Sequence, residues 1–285
     1  MKTFIDVSAQ YDNLGDVLIR RSMLAILSNV EELHIYARSA PQDYLDALYI
    51  PPGAIVHSSR RTWLNNLLTT SGRIALVFGP GEVRLTGQRA PQELLWLIIT
   101  ACVRFRGGVA LRVGKSVRNV VPLTRFIHAV SVRTCTDVYW RDDVSRQVIG
   151  CGHVIPDVGF ARYPSLETAQ RHSRRFLTIT MRSDRLPPSD EYVQAVREFA
   201  QKYSLTVQIV SQVERDDRRS AELASRLNCD FIPWSGKPHL DQEQLVERAY
   251  RESCMVISDR LHGLIMAVNH GAIPAGLLTQ PSAKI

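Results

Sequence analysis

The chain has 285 residues, of which 45% are hydrophobic and 22% charged, a composition that excludes disorder and allows two α/β domains. Its most apolar run, 94–103, is about half the ~20 residues of a membrane-spanning helix, and the polar stretch 8–13 comes too early for a signal peptide. The net charge is +7, and thirty of the 35 basic residues are arginine. Arginine can bind phosphate, nucleic acid or an anionic membrane surface. A high-GC genome that encodes arginine where lysine would serve gives the same composition.

Short apolar runs alternate along the chain with longer stretches of helical period, which predicts parallel α/β sheets. In the first half, the predicted strands are 3–7, 33–36, 74–78, 109–113 and 129–132, and the predicted helices are 16–28, 42–48, 62–68 and 91–105. In the second half, the predicted strands are 176–181, 205–211, 230–232, 254–258 and 272–277, and the predicted helices are 190–203, 216–227, 241–251 and 261–269.

The least structured segment, 156–175, predicts a domain boundary near residue 165. We therefore expect two Rossmann-like domains, 1–165 and 166–285, that face each other across a cleft and bind ligands outside the C-terminal ends of their strands. The five cysteines are scattered and form no CxxC pair. They predict reduced thiols in a cytoplasmic protein, with neither a disulfide framework nor a structural zinc site.

The first motif, Asn13-Leu14-Gly15-Asp16, directly follows the first predicted strand and opens the first helix. A strand, a glycine turn and a helix start together present backbone N–H groups to an anion. A purely structural interpretation fits equally: Asn13 forms a turn, Gly15 adopts a positive φ, and Asp16 caps the helix.

The second motif is Gly79-Pro80-Gly81-Glu82, at the end of another predicted strand. Two glycines around a proline favour a rigid loop that a substrate can approach closely, although an ordinary tight turn has the same composition.

The third and fourth motifs follow strands of the second half. Arg182 ends the strand 176–181, where it can bind a carboxylate or phosphate, or pair with Asp184. Arg260-Leu261-His262 lies between the strand 254–258 and a helix. Histidine is the side chain best suited to passing a proton at neutral pH, so His262 is a candidate general acid and base. The structural alternative is a histidine bonded to a backbone carbonyl, beside an arginine paired with Asp259.

In this order the four motifs resemble those of the polysaccharide pyruvyl transferase family. Members carry Asn-x-Gly-Asp after the first strand, a glycine-rich turn, an arginine after the first strand of domain two, and Arg-x-His near the end. Three lesser features are also similar: Ser131-Val132-Arg133, Pro156-Asp157 and Lys284. Pro80 departs from the family's plain glycine run, and relatives usually continue beyond residue 285 through further helices, so we expect a second domain without its last helices.

The resemblance implies a glycosyltransferase-B-like fold and the transfer of pyruvate from phosphoenolpyruvate to a sugar of a cell-surface or exopolysaccharide glycan, which gives a ketal. The implied partners are phosphoenolpyruvate and a glycan or lipid-linked saccharide, with no cofactor, no metal and no nucleic acid. A peripheral contact with the anionic inner face of the membrane stays open. His262, Arg260 and Arg182 are the implied catalytic residues, and the implied substrate-binding residues are Asn13, Gly15, Asp16, Gly79, Gly81, Leu261 and Lys284.

Two other classes of function remain. A nucleotide-sugar glycosyltransferase typically has an acidic residue for the ribose late in domain two, and the segment after Arg260 offers none. A non-catalytic glycan- or nucleic-acid-binding protein would use the arginines as a surface. The basic residues look evenly spread and no aromatic-rich strand is visible, which argues against nucleic acid.

Overall fold

The computed structural model describes residues 1–161 and 174–278, which form two compact α/β units. The first unit contains Met1–Ala9 and Leu18–Ala161. The second contains Gln10–Val17 together with the part of the chain that follows residue 161. The short segment Gln10–Val17 is therefore separated in sequence from the rest of its unit. The predicted boundary near residue 165 lies outside the described residues.

The first unit is built on a parallel sheet whose strands run in the order β3-β2-β1-β4-β6-β7-β8. The short strand β5 pairs with the second half of β6, beyond the end of β4. The strands of this unit are β1 (Lys2–Asp6), β2 (Glu32–Tyr36), β3 (Ile55–His57), β4 (Ile74–Phe78), β5 (Gly81–Arg84), β6 (Val109–Arg118), β7 (Asp137–Trp140) and β8 (His153–Val154).

Helices cover both faces of this sheet. They are α1 (Leu14–Ile26), α2 (Gln42–Ala47), α3 (Arg60–Thr69), α4 (Ala90–Phe105), α5 (Pro122–Arg133) and α6 (Asp143–Ile149). Because crossovers between parallel strands are right-handed, the strand order puts α3 to α6 on one face and α1 and α2 on the other. Under the first group, Phe4, Trp63, Phe78 and Trp96 form part of a continuous apolar core.

The second unit has a five-stranded parallel sheet in the order β11-β10-β9-β12-β13, the strand order of a Rossmann fold. Its elements are β9 (Phe176–Thr180), α7 (Asp190–Lys202), β10 (Thr206–Val210), α8 (Asp217–Leu227), β11 (Asp230–Ile232), α9 (His239–Arg251), β12 (Ser253–Ser258), α10 (Leu261–Asn269) and β13 (Ile273–Gly276). Four successive residues of β9, 177–180, are buried, as expected of a central strand with both faces covered.

The predicted class of two Rossmann-like α/β domains is confirmed by these two parallel sheets. The predicted strand 129–132 is wrong, because these residues belong to α5. Its apolar, β-branched run favoured a strand, but the helix buries polar side chains that have internal partners: Ser131 accepts a hydrogen bond from Arg112, and His128 bonds to Glu93. Strands β3, β5, β7 and β8 and the helices α5 and α6 were not predicted.

Candidate functional site

Three adjacent strands of the second unit, β10, β9 and β12, end at the same edge of their sheet. The residues that follow them are Gln212, Arg182 and Asp259 with Arg260, so the third and fourth motifs lie next to each other in this unit. The carboxyl edge of a parallel sheet is where Rossmann-like folds bind their ligands.

Arg260 is held by a buried carboxylate. Its Nε donates to Asp216 Oδ2 over 2.6 Å, and Nη2 of the same guanidinium contacts the same oxygen. The other oxygen, Asp216 Oδ1, accepts the backbone N–H of Ser183 over 2.9 Å. Burial lowers the pKa of Arg260, and the Asp216 carboxylate opposes that shift. Asp216 therefore fixes the direction of Arg260 and leaves the Nη1 edge of the guanidinium for another anion. The predicted alternative partner, Asp259, does not take this role.

Arg182 binds a different carboxylate. Its Nε and Nη2 donate to the two oxygens of Asp184 over 2.7 and 2.6 Å. This bidentate pair is the ion pair that the sequence also allowed, and it lowers the pKa of Asp184 to about 2. The side chain of Asp184 is 61% exposed, against 22% for that of Arg182. Water therefore screens the pair, and a ligand carboxylate or phosphate can replace Asp184 on the arginine fork.

Asp259 is the most unusual carboxylate of this edge. One of its oxygens accepts the backbone N–H of Arg182 over 2.9 Å, while Oδ2 is buried with no hydrogen-bond partner among the described residues. Burial raises the pKa of Asp259, against the lowering effect of the Arg182 N–H and of Arg260. A buried carboxyl with a raised pKa next to two arginines is typical of functional sites.

The first motif joins this edge, because Gln10–Val17 belongs to the second unit. Asn13 forms an isolated antiparallel bridge with Val213, and Leu14 N–H donates to the carbonyl of Gln212 over 3.1 Å. Asp12 carbonyl accepts the N–H of Glu214 over 3.0 Å. The segment therefore pairs with the chain that follows β10.

Asn13 rather than Asp16 organises the start of α1. Asn13 Oδ1 accepts the N–H of Gly15 over 2.9 Å, and its carbonyl accepts the N–H of Val17. Asp16 lies inside the first helical turn, where Oδ2 accepts the N–H of Gln10 over 3.0 Å. Gly15 is helical and has no positive φ, so the structural interpretation of its role was wrong.

Gly15 is instead required by a close contact with His262. A Cβ placed on Gly15 would lie 2.5 Å from Cβ and 2.6 Å from Nδ1 of His262, distances that no side chain tolerates. The missing side chain lets the start of α1 lie directly against the imidazole. The two motifs that are farthest apart in the sequence are thus in van der Waals contact.

His262 and Leu261 are the first two residues of α10, which begins after Arg260 without a side-chain cap. The start of a helix carries partial positive charge on its N–H groups. Gly263 brings this turn close to the sheet, since a Cβ there would lie 2.9 Å from Ser258 Oγ and 3.0 Å from Gln212 Oε1. Two arginines and an uncapped helix start give this edge a concentration of anion-binding groups.

The second motif belongs to the first unit. Gly79 and Pro80 separate β4 from β5, so the motif is a break between two strands that both pair with β6, rather than a tight turn. Gly81 has a φ of +130°, which favours glycine, and a Cβ there would lie 3.8 Å from an Nη atom of Arg20. Arg20 donates to the carbonyl of Ser8 over 3.0 Å.

Lys115 lies opposite Gly81 in the pairing of β5 with β6. Burial lowers its pKa to about 7, the positive charge of Arg20 adds to the lowering, and Asp6 opposes it. The end of β1, the strand break and Lys115 therefore form a second polar cluster, within the first unit.

The predicted residues thus fall into two groups. The structure brings Asn13, Gly15, Asp16, Arg182, Arg260, Leu261 and His262 together in the second unit, and it puts Gly79 and Gly81 in the first. Lys284 lies outside the described residues. Among residues 1–161 and 174–278, no cluster of histidine, cysteine and carboxylate side chains has the composition of a metal site.

Sequence reasoning missed Asp216 and Lys115 as parts of these clusters, and it considered Asp259 only as an ion-pair partner of Arg260. Asp259 was adjacent to a motif and could have been chosen for that reason. Asp216 lies 44 residues before its partner Arg260, and the pairing of β9 with both β10 and β12 brings the two together. Lys115 was one of only five lysines, which was the available signal for it.

The family model for polysaccharide pyruvyl transferase matches residues 13–272. The chain belongs to the polysaccharide pyruvyl transferase family. The match begins at Asn13 and continues past His262, so it includes both motifs that meet in the second unit. Membership of this family implies transferase activity on a polysaccharide. No curated protein matches this family member in sequence.

Solved structures match this chain at low identity. A putative UDP-N-acetylglucosamine 2-epimerase from Listeria monocytogenes superposes with a TM-score of 0.53 at 10% identity, covering 98% of this pyruvyl transferase family member and 79% of the epimerase. The ADP-heptose LPS heptosyltransferase II of E. coli superposes with a TM-score of 0.45 at 12% identity, covering 96% of this family member and 83% of the heptosyltransferase. At such identities the epimerase supports the fold alone.

Proposed function

We propose that this family member transfers the pyruvyl group of phosphoenolpyruvate to two hydroxyl groups of one sugar in a cell-surface or exopolysaccharide glycan. The methylene carbon of the donor gains a proton and becomes a methyl group. Two C–O bonds then form to the adjacent carbon and the bond to phosphate breaks. One hydroxyl proton balances the new methyl hydrogen and the other leaves with phosphate, so the products are a ketal and inorganic phosphate.

The donor carries a carboxylate and a phosphate, and the edge formed by β9 and β12 has groups for both. Arg260 is aimed by Asp216 and keeps its Nη1 edge for an anion. Arg182 can exchange the exposed Asp184 for a ligand oxygen pair. The uncapped start of α10 supplies backbone N–H groups. These three features support an anionic donor, and planar arginine forks suit carboxylate and phosphate oxygens.

His262 is the group that we assign to proton transfer. Protonation of the methylene carbon makes the neighbouring carbon electrophilic, and each attacking hydroxyl must then lose its proton. Near neutral pH, histidine can both donate a proton to the carbon and accept protons from the hydroxyl groups. The contact with Gly15 supports this role, because it limits where the imidazole can lie. Asp259, buried and with a raised pKa, is a second group able to hold a proton beside Arg182.

The remaining predicted residues are proposed to bind substrate. Asn13 and Asp16 lie on the segment that packs against His262, and Leu261 begins the same helix as the histidine. Gly81 adjoins Arg20 and Lys115 in the first unit, and Gly79 adjoins the carbonyl of Asp6, where the two glycines would serve a polar ligand. Lys284 is proposed on the resemblance alone.

One observation carries the proposal: the Asn13–Asp16 and Arg260–His262 motifs of the family form a single cluster in the second unit. The test is to incubate the protein with phosphoenolpyruvate and a panel of glycans and lipid-linked saccharides, and to follow phosphate release and the mass of the acceptor. We expect acceptor-dependent phosphate release and an acceptor that gains one pyruvyl ketal, and neither with His262→Gln. Turnover of a UDP-sugar while phosphoenolpyruvate stays intact would contradict the proposal.

A further inference from the structure

The charge of the chain is not spread evenly, which corrects the expectation from composition. Between residues 94 and 136 there are seven basic residues and no aspartate or glutamate. Outside this stretch, basic and acidic residues are equal in number at 28 each. The whole net charge of +7 is therefore carried by one continuous segment, which forms most of α4, all of β6 and all of α5.

The two helices of this segment expose large apolar side chains. Phe105 at the end of α4 is 94% exposed, and Phe126 and Leu123 on α5 are 67% and 64% exposed. Leu94, Leu95 and Ile98 are further exposed apolar residues of α4. Scattered single apolar residues are normal on a surface, but six on two adjacent helices form a patch.

The patch lies on one face of the first unit. Both crossovers, from β5 to β6 and from β6 to β7, move in the same direction along the sheet, so α4 and α5 lie side by side on the same face. The buried bond between Glu93 and His128 joins the two helices. Their exposed side chains therefore point away from the sheet on a shared outer surface, which we call the α4–α5 surface.

Arginines accompany the apolar side chains on this surface. Arg104 and Arg106 flank Phe105, Arg125 precedes Phe126, and Arg133 ends α5, and all four are exposed. None of them pairs with a carboxylate in residues 1–161 or 174–278. Arg104 and Arg106 bond to backbone carbonyls instead. Their charge is therefore not neutralised locally.

We propose that the α4–α5 surface docks the protein on an anionic lipid bilayer. Exposed aromatic and aliphatic side chains enter the boundary between headgroups and acyl chains, and arginines beside them bind lipid phosphates. No helix of the described ranges is long and apolar enough to cross a bilayer. The attachment that we propose is of the peripheral kind, through side chains of the α4–α5 surface. The inference is independent of the proposed reaction.

Charge decides between the bilayer and a second copy of the chain. A symmetric dimer through this surface would bring the unpaired arginines of two copies together, which is repulsive. An anionic bilayer complements the same charges. The apolar side chains favour lipid over nucleic acid, whose backbone contacts are polar and charged.

Co-sedimentation with vesicles tests the proposal. The wild-type protein should bind vesicles of phosphatidylcholine mixed with phosphatidylglycerol and should bind pure phosphatidylcholine much less, with binding that weakens as salt is added. Arg104→Gln combined with Arg125→Gln should reduce partitioning about 25-fold, at roughly fivefold per arginine. Phe105→Ser combined with Phe126→Ser should reduce it about tenfold or more.

Matched controls lie elsewhere on the protein. Ile26→Ser removes an exposed apolar side chain from α1, on the opposite face of the same sheet, and Arg218→Gln removes an exposed arginine from α8. Both should bind vesicles as the wild type does. Circular dichroism and the melting temperature of each variant establish that it is folded.

Three results would overturn the proposal: no binding of the wild type to anionic vesicles, equal binding to neutral and anionic vesicles, or unchanged binding of both double variants. Sedimentation velocity detects the alternative occupant of this surface, a second copy of the chain. If the wild type is a dimer that Phe105→Ser with Phe126→Ser dissociates, the α4–α5 surface joins two copies of the chain.

Discussion

His262 is the side chain on which the proposed chemistry depends most. His262→Gln removes the proton donor while keeping a polar side chain of similar size. We expect turnover to fall by about 10²–10⁴-fold, the usual range for loss of a general acid or base, with little change in melting temperature. Both quantities are measured on the same preparation, by phosphate release and by thermal unfolding.

His153→Gln is the matched control, because His153 is an exposed histidine of the short strand β8. It should leave turnover and stability as in the wild type. If His262→Gln instead keeps normal turnover and lowers the melting temperature, His262 is a structural residue.

Gly15 allows the first motif to contact the imidazole. In Gly15→Ala the new methyl group would meet His262 at 2.5 Å, so the histidine or the helix start must move. Overpacking of this kind costs about 1–3 kcal/mol of unfolding free energy, more than the helix propensity that alanine gains. We expect lower stability together with reduced turnover, measured by denaturant unfolding and phosphate release.

Gly87→Ala is the control for that substitution, since a Cβ on Gly87 meets nothing within 4 Å. It should be neutral in both measurements. A Gly15→Ala protein as stable and active as the wild type would show that the contact with His262 is not needed.

The lowered pKa of Lys115 predicts that the free energy of unfolding depends on pH. Burial lowers its pKa from 10.5 to about 7. Between those values the unfolded chain holds a proton that the folded protein has released, so the free energy of unfolding rises with pH across this window. The contribution of one such group is at most about 1.4 kcal/mol per pH unit.

Lys115→Met should remove this rise, and Lys202→Met, at an exposed position of α7, should retain it. Denaturant unfolding of the three proteins between pH 7 and pH 10 measures the effect. Equal pH profiles for the wild type and Lys115→Met would contradict the assignment.

At the scale of elements, the end of β9 and the end of β12 are tied together by Asp216. Its two oxygens bind the N–H of Ser183 and the side chain of Arg260. A lysine at 260 has one ammonium group instead of a planar fork, so it cannot hold Asp216 and a donor anion at fixed angles. We expect Arg260→Lys to raise the KM for phosphoenolpyruvate about tenfold or more, from steady-state phosphate release.

Arg226→Lys is the matched control, because Arg226 pairs with the exposed Asp190 away from the strand ends. Its kinetics should equal those of the wild type. If Arg260→Lys has wild-type kinetics as well, Arg260 is an ordinary ion-pair residue.

Elements with a clear apolar period could be predicted from the sequence. Within residues 174–278 every predicted strand and helix is present. Most of these elements bury an apolar stripe or run, whereas β13 is largely exposed. The stretch 109–140 was less readable, since β6 continues through the polar Lys115 and Ser116, and α5 buries His128 and Ser131. His128 and Ser131 are buried because they have partners on other elements, Glu93 and Arg112, which a sequence pattern does not reveal.

The same limit applies to the site. Motif order indicated His262, Arg260 and Arg182, which lie within one unit as neighbouring strand ends require. The ion-pair partner of Arg260 could not be predicted from the neighbouring sequence. The adjacent Asp259 accepts the backbone N–H of Arg182, and Asp216, distant in sequence, binds the guanidinium of Arg260. Gly15 was expected to bind substrate or to serve a turn, and the sequence carries no sign that it makes room for a histidine 247 residues later.

At the scale of the whole molecule, three features involve different residues and are distinct in role. The second unit holds the cluster of arginines and His262, the first holds the polar cluster around Lys115, and the α4–α5 surface carries four of the seven basic residues of the segment 94–136. In our account these are the donor site, a polar ligand site and a lipid contact. The three can be tested separately, because each rests on different residues.

Selective binding of phosphoenolpyruvate over UDP-sugars distinguishes the proposed transferase from a glycosyltransferase. Thermal unfolding with and without ligand measures this selectivity without knowledge of the acceptor. A ligand that binds only the folded state at 100 times its Kd stabilises it by about 2.7 kcal/mol. We predict that phosphoenolpyruvate raises the melting temperature of the wild type by several degrees, that Arg260→Lys loses most of this shift, and that UDP-glucose has no effect. A clear shift with UDP-glucose and none with phosphoenolpyruvate would contradict the account.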